Sequence, residues 1–217
     1  MSYDLCLFDL DGTLTDPKVG ITKSYQYALK AFGIDESLES LTRFIGPPLR
    51  TNFREYYGFS EADTESAVIK YREYFGKTGL YENEIYPGIP EALQLLKTSG
   101  RTMAVATNKL KSYSEKILVH FALDSFFEFV SGDDLDGSLT KNGKRDIVRI
   151  ALDAIDPERK MSAVMIGDRE HDILGAQAEG IDSIGITWGY GSRSELENAG
   201  ATFILESTEE LCRLIMG

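Results

Sequence analysis

From Pro87 onward, short apolar runs alternate with stretches whose apolar residues recur at helical spacing. The pattern predicts helices over 89–96, 112–121, 144–154 and 173–179, and strands over 102–106, 126–130, 162–166 and 183–187. A last strand is expected over 202–205, before a C-terminal helix. Such alternation restricts a chain to a parallel sheet with helices on both faces. Tyr3 to Phe8 supplies one more buried strand at the N-terminus, broken by the acids and glycine of Asp9 to Thr13.

The residues between differ in character. Ile21, Tyr25, Ala28, Leu29 and Phe32, then Ala67, Val68, Tyr71 and Phe75, recur at helical spacing. Gly33, Gly46-Pro47-Pro48, Gly58 and Gly76 punctuate them, and no strand is expected there. The division is therefore 1–16 with 87–217 as an α/β core, and 17–86 as an all-helical insertion. A chain of 217 residues accommodates one main domain plus such an insertion.

In open parallel sheets ligands bind at the carboxyl ends of the strands. Asp9, Thr107 and Asp168 each follow the carboxyl end of a different expected strand, so the fold would bring them to one edge.

Four short constellations surround these residues. In Asp9-Leu10-Asp11-Gly12-Thr13, positions two apart on an extended chain face the same way, so both carboxylates can enter one site. Two such carboxylates repel and need a cation or a shared proton. The plainer reading is a solvated Asp-Gly turn. A calcium loop is excluded, because it needs glycine at its sixth position and a preceding helix. In Val105-Ala106-Thr107-Asn108-Lys109, a hydroxyl and free amides at a strand end suit a phosphoryl oxygen, or simply a turn or helix cap. Lys144, opening a helix in Gly143-Lys144-Arg145-Asp146, can neutralise a phosphoryl group, and Lys141 competes for that role. Asp168 and Asp172 are four apart at a helix start, on one face of its first turn, and hard carboxylate oxygens suit Mg²⁺. Helix capping by Asp168 is the alternative.

Charge narrows the partners. A formal charge of -12 repels nucleic-acid phosphate and anionic lipid, so neither nucleic acid nor membrane is an expected partner. An anionic substrate would then need local positive charge, which a metal ion and one or two lysines supply. Cys6 and Cys212 sit in apolar contexts and read as small buried hydrophobes. No basic region precedes a long apolar run at the N-terminus, so a cytoplasmic location is expected.

Taken together, the four constellations resemble the motifs of the haloacid-dehalogenase superfamily, over essentially the whole chain. Asp9-Leu10-Asp11-Gly12-Thr13 looks like its first motif, Thr107 its second, Lys144 its third, and Gly167-Asp168 with Asp172 its fourth. The helical insertion looks like the cap of the phosphoglycolate phosphatase-like and β-phosphoglucomutase-like branch. The resemblance implies an α/β, Rossmann-like parallel-sheet core and a Mg²⁺-dependent phosphatase. Its substrate would be a small phosphorylated metabolite, phosphoglycolate-like or a nucleoside monophosphate. Asp9 would be the nucleophile that forms an aspartyl-phosphate, and Asp11 the general acid and base. Mg²⁺ would be held by the side chains of Asp9 and Asp168 and the backbone carbonyl of Asp11, with Asp172 steadying its waters from behind. Thr107, the Asn108 amide and Lys144 would grip the phosphoryl oxygens. The protein would act as a monomer or homodimer.

Two departures stand out. Lys144 lacks the following proline common in relatives, and the fourth motif carries the bulky Arg169-Glu170-His171, with His171 expected to face solvent. Asp134-Leu135-Asp136-Gly137-Ser138 nearly repeats the first motif but has no second acidic partner, and reads as a loop at the site mouth. Within the cap, Gly46-Pro47-Pro48 reads as a turn into a helix, with amides free to face substrate. Arg43 and Arg50 flank it and could hold a second anionic group. Hinges are expected near Asp16-Pro17 and Tyr86-Pro87-Gly88.

Rival readings share parts of this pattern. A phosphomutase of the β-phosphoglucomutase type would use the same residues and return the phosphoryl group to a sugar. A dehalogenase does not call for Asp11. A phosphonate hydrolase needs a cap lysine, and Lys18, Lys23 and Lys30 stand in no motif. A receiver domain is shorter and lacks the insertion. A non-catalytic phosphate-binding module is disfavoured by the complete set of Asp9, Asp11, Asp168 and Asp172.

Overall fold

Leu5, Cys6, Leu7 and Phe8 are each no more than 1% exposed, so the first strand, β1 (Leu5–Phe8), is covered on both faces. Its side chains alternate between two apolar clusters. Cys6 and Phe8 enter one, and Leu5 and Leu7 enter the other. In this computed structural model, which describes residues 2–141 and 143–217, β1 lies at the centre of the sheet.

The chain continues through β2 (Thr15–Asp16), α1 (Lys18–Lys30), α2 (Leu49–Thr51), α3 (Glu61–Tyr74) and β3 (Glu84–Ile85). After α4 (Ile89–Thr98) come β4 (Thr102–Leu110), α5 (Lys111–His120), β5 (Phe129–Asp133) and α6 (Arg145–Ile155). The last part holds β6 (Ala163–Gly167), α7 (Glu170–Ala178), β7 (Asp182–Ile186), α8 (Arg193–Asn198), β8 (Phe203–Leu205) and α9 (Thr208–Met216). The six-stranded sheet has the order β5-β4-β1-β6-β7-β8, and every neighbouring pair is parallel. The expected α/β architecture is therefore present, with helices on both faces of the sheet.

Four elements differ from expectation. The strand expected over 102–106 runs on to Leu110, with a register shift against β5 after Ala106, so Thr107 lies inside it. The fifth strand begins at Phe129, because Asp124–Phe126 forms a 3-10 turn and Phe126 and Phe127 pack against the core. An aromatic run signals burial without saying whether a strand or a turn delivers it. The helix expected from 173 begins at Glu170, where the Asp172 carboxylate accepts from the Arg169 N–H at 3.0 Å and caps the first turn. The stretch 17–86 also contains a strand: β3 pairs antiparallel with β2, with Thr15 opposite Ile85 and Asp16 opposite Glu84. This ribbon joins the two points where the chain enters and leaves the helical stretch.

The helices there pack around Tyr25, which is 1% exposed. Its ring meets Phe44, Phe53 and Tyr71 at centroid distances of 5.0, 5.3 and 5.0 Å. Its hydroxyl accepts from Asn52 Nδ2 at 2.7 Å, which satisfies a buried polar group. Cys6 and Cys212 are both free and buried, as expected of small core hydrophobes. Among the described residues, no helix is long and apolar enough to cross a membrane.

A close backbone approach fixes α1 against the π-helical turn Phe75–Gly79. A Cβ on Gly20 would lie 1.9 Å from the carbonyl oxygen of Gly79. Gly20→Ala is expected to destabilise the protein by about 1–3 kcal/mol, the usual range for overpacking a tight interior. Urea unfolding measures this, and an unchanged midpoint would refute the contact.

Candidate active site

Strand register builds the site. Phe8 pairs with Val105 on one side and with Ile166 on the other. Asp9 therefore emerges level with Ala106 of β4 and the carboxyl end of β6, with Asp168 beside it and Thr107 next along β4, where the pairing to β5 shifts register. Asp9, Thr107 and Asp168 are buried, at 4%, 1% and 0% exposure.

Lys144, 2% exposed, enters from the start of α6. Its Nζ lies 2.8 Å from Asp9 Oδ1 and also pairs with Asp172 Oδ1. Burial pulls the lysine pKa down, but the attraction of Asp172 and Asp9 outweighs it and holds the ammonium charged. Asp172 is pushed up to about 6 by burial, which outweighs the pull of Lys144. Asp168 is held well above the usual carboxylate range by burial and by its neighbours Asp172 and Asp9. Its Oδ2 accepts from the Tyr190 N–H at 2.7 Å, and its Oδ1 from the Thr13 hydroxyl at 3.4 Å.

Asp11 faces another cation. Its Oδ2 lies 2.5 Å from Lys109 Nζ, which sits 4.4 Å from the centre of the Phe75 ring. Burial raises the Asp11 pKa and Lys109 opposes the rise. The Thr107 hydroxyl accepts from the Lys109 N–H at 3.3 Å. The Asn108 side chain turns away toward the helical stretch and donates to the Gly46 carbonyl at 3.2 Å.

Asp9, Asp11, Thr107, Asn108 and Lys109 open onto a cavity of about 210 Å³. Gly46 and Arg50 line it, as does the acidic loop with Asp134, Asp136 and Gly137, which lies at the mouth as its sequence suggested. Arg50 is bound to Glu65, at 2.5 Å from Nε, and to the Leu135 carbonyl, so its charge is already partnered. Arg43 corrects an expectation. Its guanidinium pairs with Glu36 at 2.9 Å and stacks over Phe44 and Tyr56, outside the cavity. Two aromatic faces and a carboxylate hold it there more firmly than a distant anion could. His171 is half-buried rather than solvent-facing, and burial lowers its pKa. Lys141 is exposed at the outer wall, which leaves Lys144 as the inner lysine.

Sequence reasoning passed over four residues. Lys109 stands two after Thr107 on an extended chain, so same-face spacing was available to find it. Arg72 lines the cavity and donates to the Leu135 carbonyl at 2.9 Å, and no local pattern announces it. Arg169 reaches the Ile45 carbonyl at 2.6 Å while bound to Glu195. Tyr190 lies between two glycines whose spacing hints at a close backbone approach.

The acidic cluster fits a hard divalent cation. Oxygens of Asp9, Asp168 and Asp172 lie within 4.8 Å of one another, close to the ~4.2 Å span of an octahedral Mg²⁺ site. Asp9 Oδ1 and Asp11 Oδ1 are buried and make no hydrogen bond, since the Lys144 contact with Asp9 is a charge contact of poor angle. Both Asp172 oxygens are already engaged, by Lys144 and by the Arg169 N–H, which suits an outer role.

Two outcomes follow from this charge balance. Asp168 and Asp172 bind their protons more tightly folded than unfolded, so ionising them costs stability as pH rises from the ordinary 3.8 through about 6. A bound cation recovers that cost. The rise in Tm on adding magnesium should therefore be larger at about pH 7 than at about pH 5. Equal increments would refute the cluster as the binding site. Lys144→Met should cost about 3–5 kcal/mol in metal-free urea unfolding, because it leaves Asp9 and Asp172 buried without their cation. A variant as stable as the parent would show that the two are not held ionised together.

The model of the haloacid dehalogenase-like hydrolase family matches residues 6–186. A 5'-nucleotidase of Pseudomonas aeruginosa is 48% identical over 197 residues, covering 90% of this chain and 88% of that one. The tyrosine-protein kinase PtkA of Mycobacterium tuberculosis is 37% identical over 204 residues, covering 94% and 68%. The crystal structure of a predicted phosphatase from Clostridium acetobutylicum superposes with a TM-score of 0.93 at 45% identity, covering 100% and 99%. The chain belongs to the haloacid dehalogenase-like hydrolase family and is a phosphoric monoester hydrolase.

Proposed function

We propose that the protein is a Mg²⁺-dependent phosphatase that hydrolyses a small phosphomonoester through an aspartyl-phosphate on Asp9, with a nucleoside monophosphate favoured over a phosphoglycolate-like acid. One observation carries the reading: Asp9, Asp11 and Thr107 line one cavity, with Lys144 paired to Asp9 and an Asp168 oxygen within 4.8 Å of one of Asp9.

In the first step an Asp9 carboxylate oxygen attacks phosphorus, and the bond from phosphorus to the ester oxygen breaks. The leaving oxygen takes its proton from Asp11. Burial raises the Asp11 pKa, which favours the protonated form this step needs, while Lys109 opposes the rise. Asp11 then accepts a proton from water as the water oxygen attacks phosphorus. Phosphate leaves and the Asp9 carboxylate is restored. Lys144 and the Thr107 hydroxyl hold phosphoryl oxygens in line, because phosphoryl transfer depends on positioning and charge stabilisation. Asp9, the Asp11 backbone carbonyl and Asp168 would hold Mg²⁺, with Asp172 behind them. The cation supplies charge neutralisation for the phosphoryl group.

The residues 17–86 act in this reading as a cap. They contribute Tyr71, Phe75 and Arg72 to the cavity beyond Asp11, and the core adds Tyr113. Aromatic faces with guanidinium donors suit a base and sugar better than a two-carbon acid. The relative named a 5'-nucleotidase supports the same choice. The kinase name of another relative calls for an acceptor hydroxyl, whereas hydrolysis of an Asp9 adduct needs only water as acceptor.

The test is hydrolysis of a panel of phosphomonoesters with magnesium, beside an EDTA blank and Asp9→Asn. Turnover is expected with nucleoside monophosphates, abolished by EDTA and reduced at least roughly a thousandfold in the variant. Full activity of Asp9→Asn would overturn the nucleophile assignment. Turnover only between sugar phosphates, with a bisphosphate primer, would make the protein a mutase.

A further inference from the structure

After β7 the chain reads Trp188-Gly189-Tyr190-Gly191, and its backbone is pressed onto the acidic pocket. A Cβ on Gly189 would lie 2.3 Å from the Gly12 carbonyl oxygen and 2.4 Å from Asp168 Cβ. One on Gly191 would lie 1.8 Å from the Asp168 carbonyl oxygen. Both glycines are required for this approach, which leaves no slack between segment and pocket. The Tyr190 N–H donates to Asp168 Oδ2 at 2.7 Å, and Trp188 Nε1 donates to the Thr13 carbonyl at 3.1 Å.

The side chain of Tyr190 leaves the pocket in another direction. Its hydroxyl donates to Asp16 Oδ1, with Tyr86 beside it. Asp16 ends β2 and also accepts from the Lys18 N–H at 2.9 Å, at the start of α1. Tyr86 follows β3, and its N–H donates to the Leu14 carbonyl at 3.2 Å. Tyr190 thus touches one strand of the ribbon at Asp16 and the residue that follows the other, where the chain enters and leaves the cap.

We propose that Tyr190 is a positioning residue that couples the Asp168 end of the site to the cap hinge. Its backbone follows the Asp168 carboxylate, and its hydroxyl sets the position of Asp16. A shift of Asp168 on cation binding moves the Tyr190 N–H with it. The glycine contacts transmit the shift because they cannot compress. The hydroxyl carries it to Asp16 and the first turn of α1. The hydrogen bond to Asp16 is assisted by the carboxylate charge, so its loss should change the population of the closed cap by roughly tenfold. The inference rests on the cation reading above, and its test separates the two.

Hydrogen exchange is measured at the amides of 15–20 and 84–86, with and without magnesium, in the parent and in Tyr190→Phe. Magnesium affinity is measured by calorimetry in both. Trp188, the one tryptophan of the chain, reports the pocket side by its emission. In the parent, magnesium should slow hinge exchange and shift the Trp188 emission. In Tyr190→Phe, magnesium should bind within about threefold of the parent affinity and still shift Trp188. Hinge protection should be lost, and KM should rise roughly five- to tenfold. Hinge protection retained in Tyr190→Phe overturns the coupling. So does magnesium binding to the parent without any change at the hinge, which leaves the cation assignment standing. A parent that binds no magnesium overturns both.

Discussion

The ammonium of Lys144, almost sealed from water between Asp9 and Asp172, is what lets carboxylates crowd one edge of the sheet. Without it, the buried acids could be tolerated only by binding protons. Lys109 does the same for Asp11 on the other side. The two lysines divide the site into one charge balance at Asp9 and Asp172 and another at Asp11, beside Phe75 of the helical stretch. They also answer the difficulty posed by a chain of net charge -12 that handles anions, because positive charge is supplied locally and held in place.

Much of this arrangement was legible in the sequence, for one physical reason. Strand ends in a parallel sheet converge, so a residue type placed after an apolar run is also placed in space. Asp9, Thr107 and Asp168 obey that logic, and the central position of β1 brings them level. Lys144 arrives from a helix start, where position is less constrained, yet the helix packs on the sheet and delivers it. The cap was less legible. Arg43 and Arg50 had the right charge near the right turn, but Glu36 and Glu65 lie close by in the fold and claim them. A sequence shows which side chains carry charge, and only tertiary structure shows which charges are already spent. Arg72 and Arg169 received no role from the sequence because each acts on a distant backbone carbonyl, a partner with no sequence signature. The strand β3 was hidden by its length, since two residues cannot display a period.

The contacts that seat the cap share a chemical form. Asn108 and Arg169 donate to the carbonyls of Gly46 and Ile45, and Arg50 and Arg72 both donate to the carbonyl of Leu135. In each case a side chain meets main chain across the boundary, on opposite sides of the cavity. Tyr190 instead meets the ribbon through which the chain enters and leaves that stretch, at the Asp16 carboxylate.

A main-chain carbonyl is the one acceptor that substitution of its own residue does not remove. At position 135, whose side chain is mostly exposed, the contacts of Arg50 and Arg72 are indifferent to which residue supplies the oxygen. Ile45 and Gly46 are not free in that way, because Ile45 is buried and a Cβ on Gly46, at φ +103, would lie 2.9 Å from Arg169 Cγ. Substitution can therefore remodel the loop at Leu135 without breaking its contacts, while the turn at Ile45 and Gly46 stays fixed.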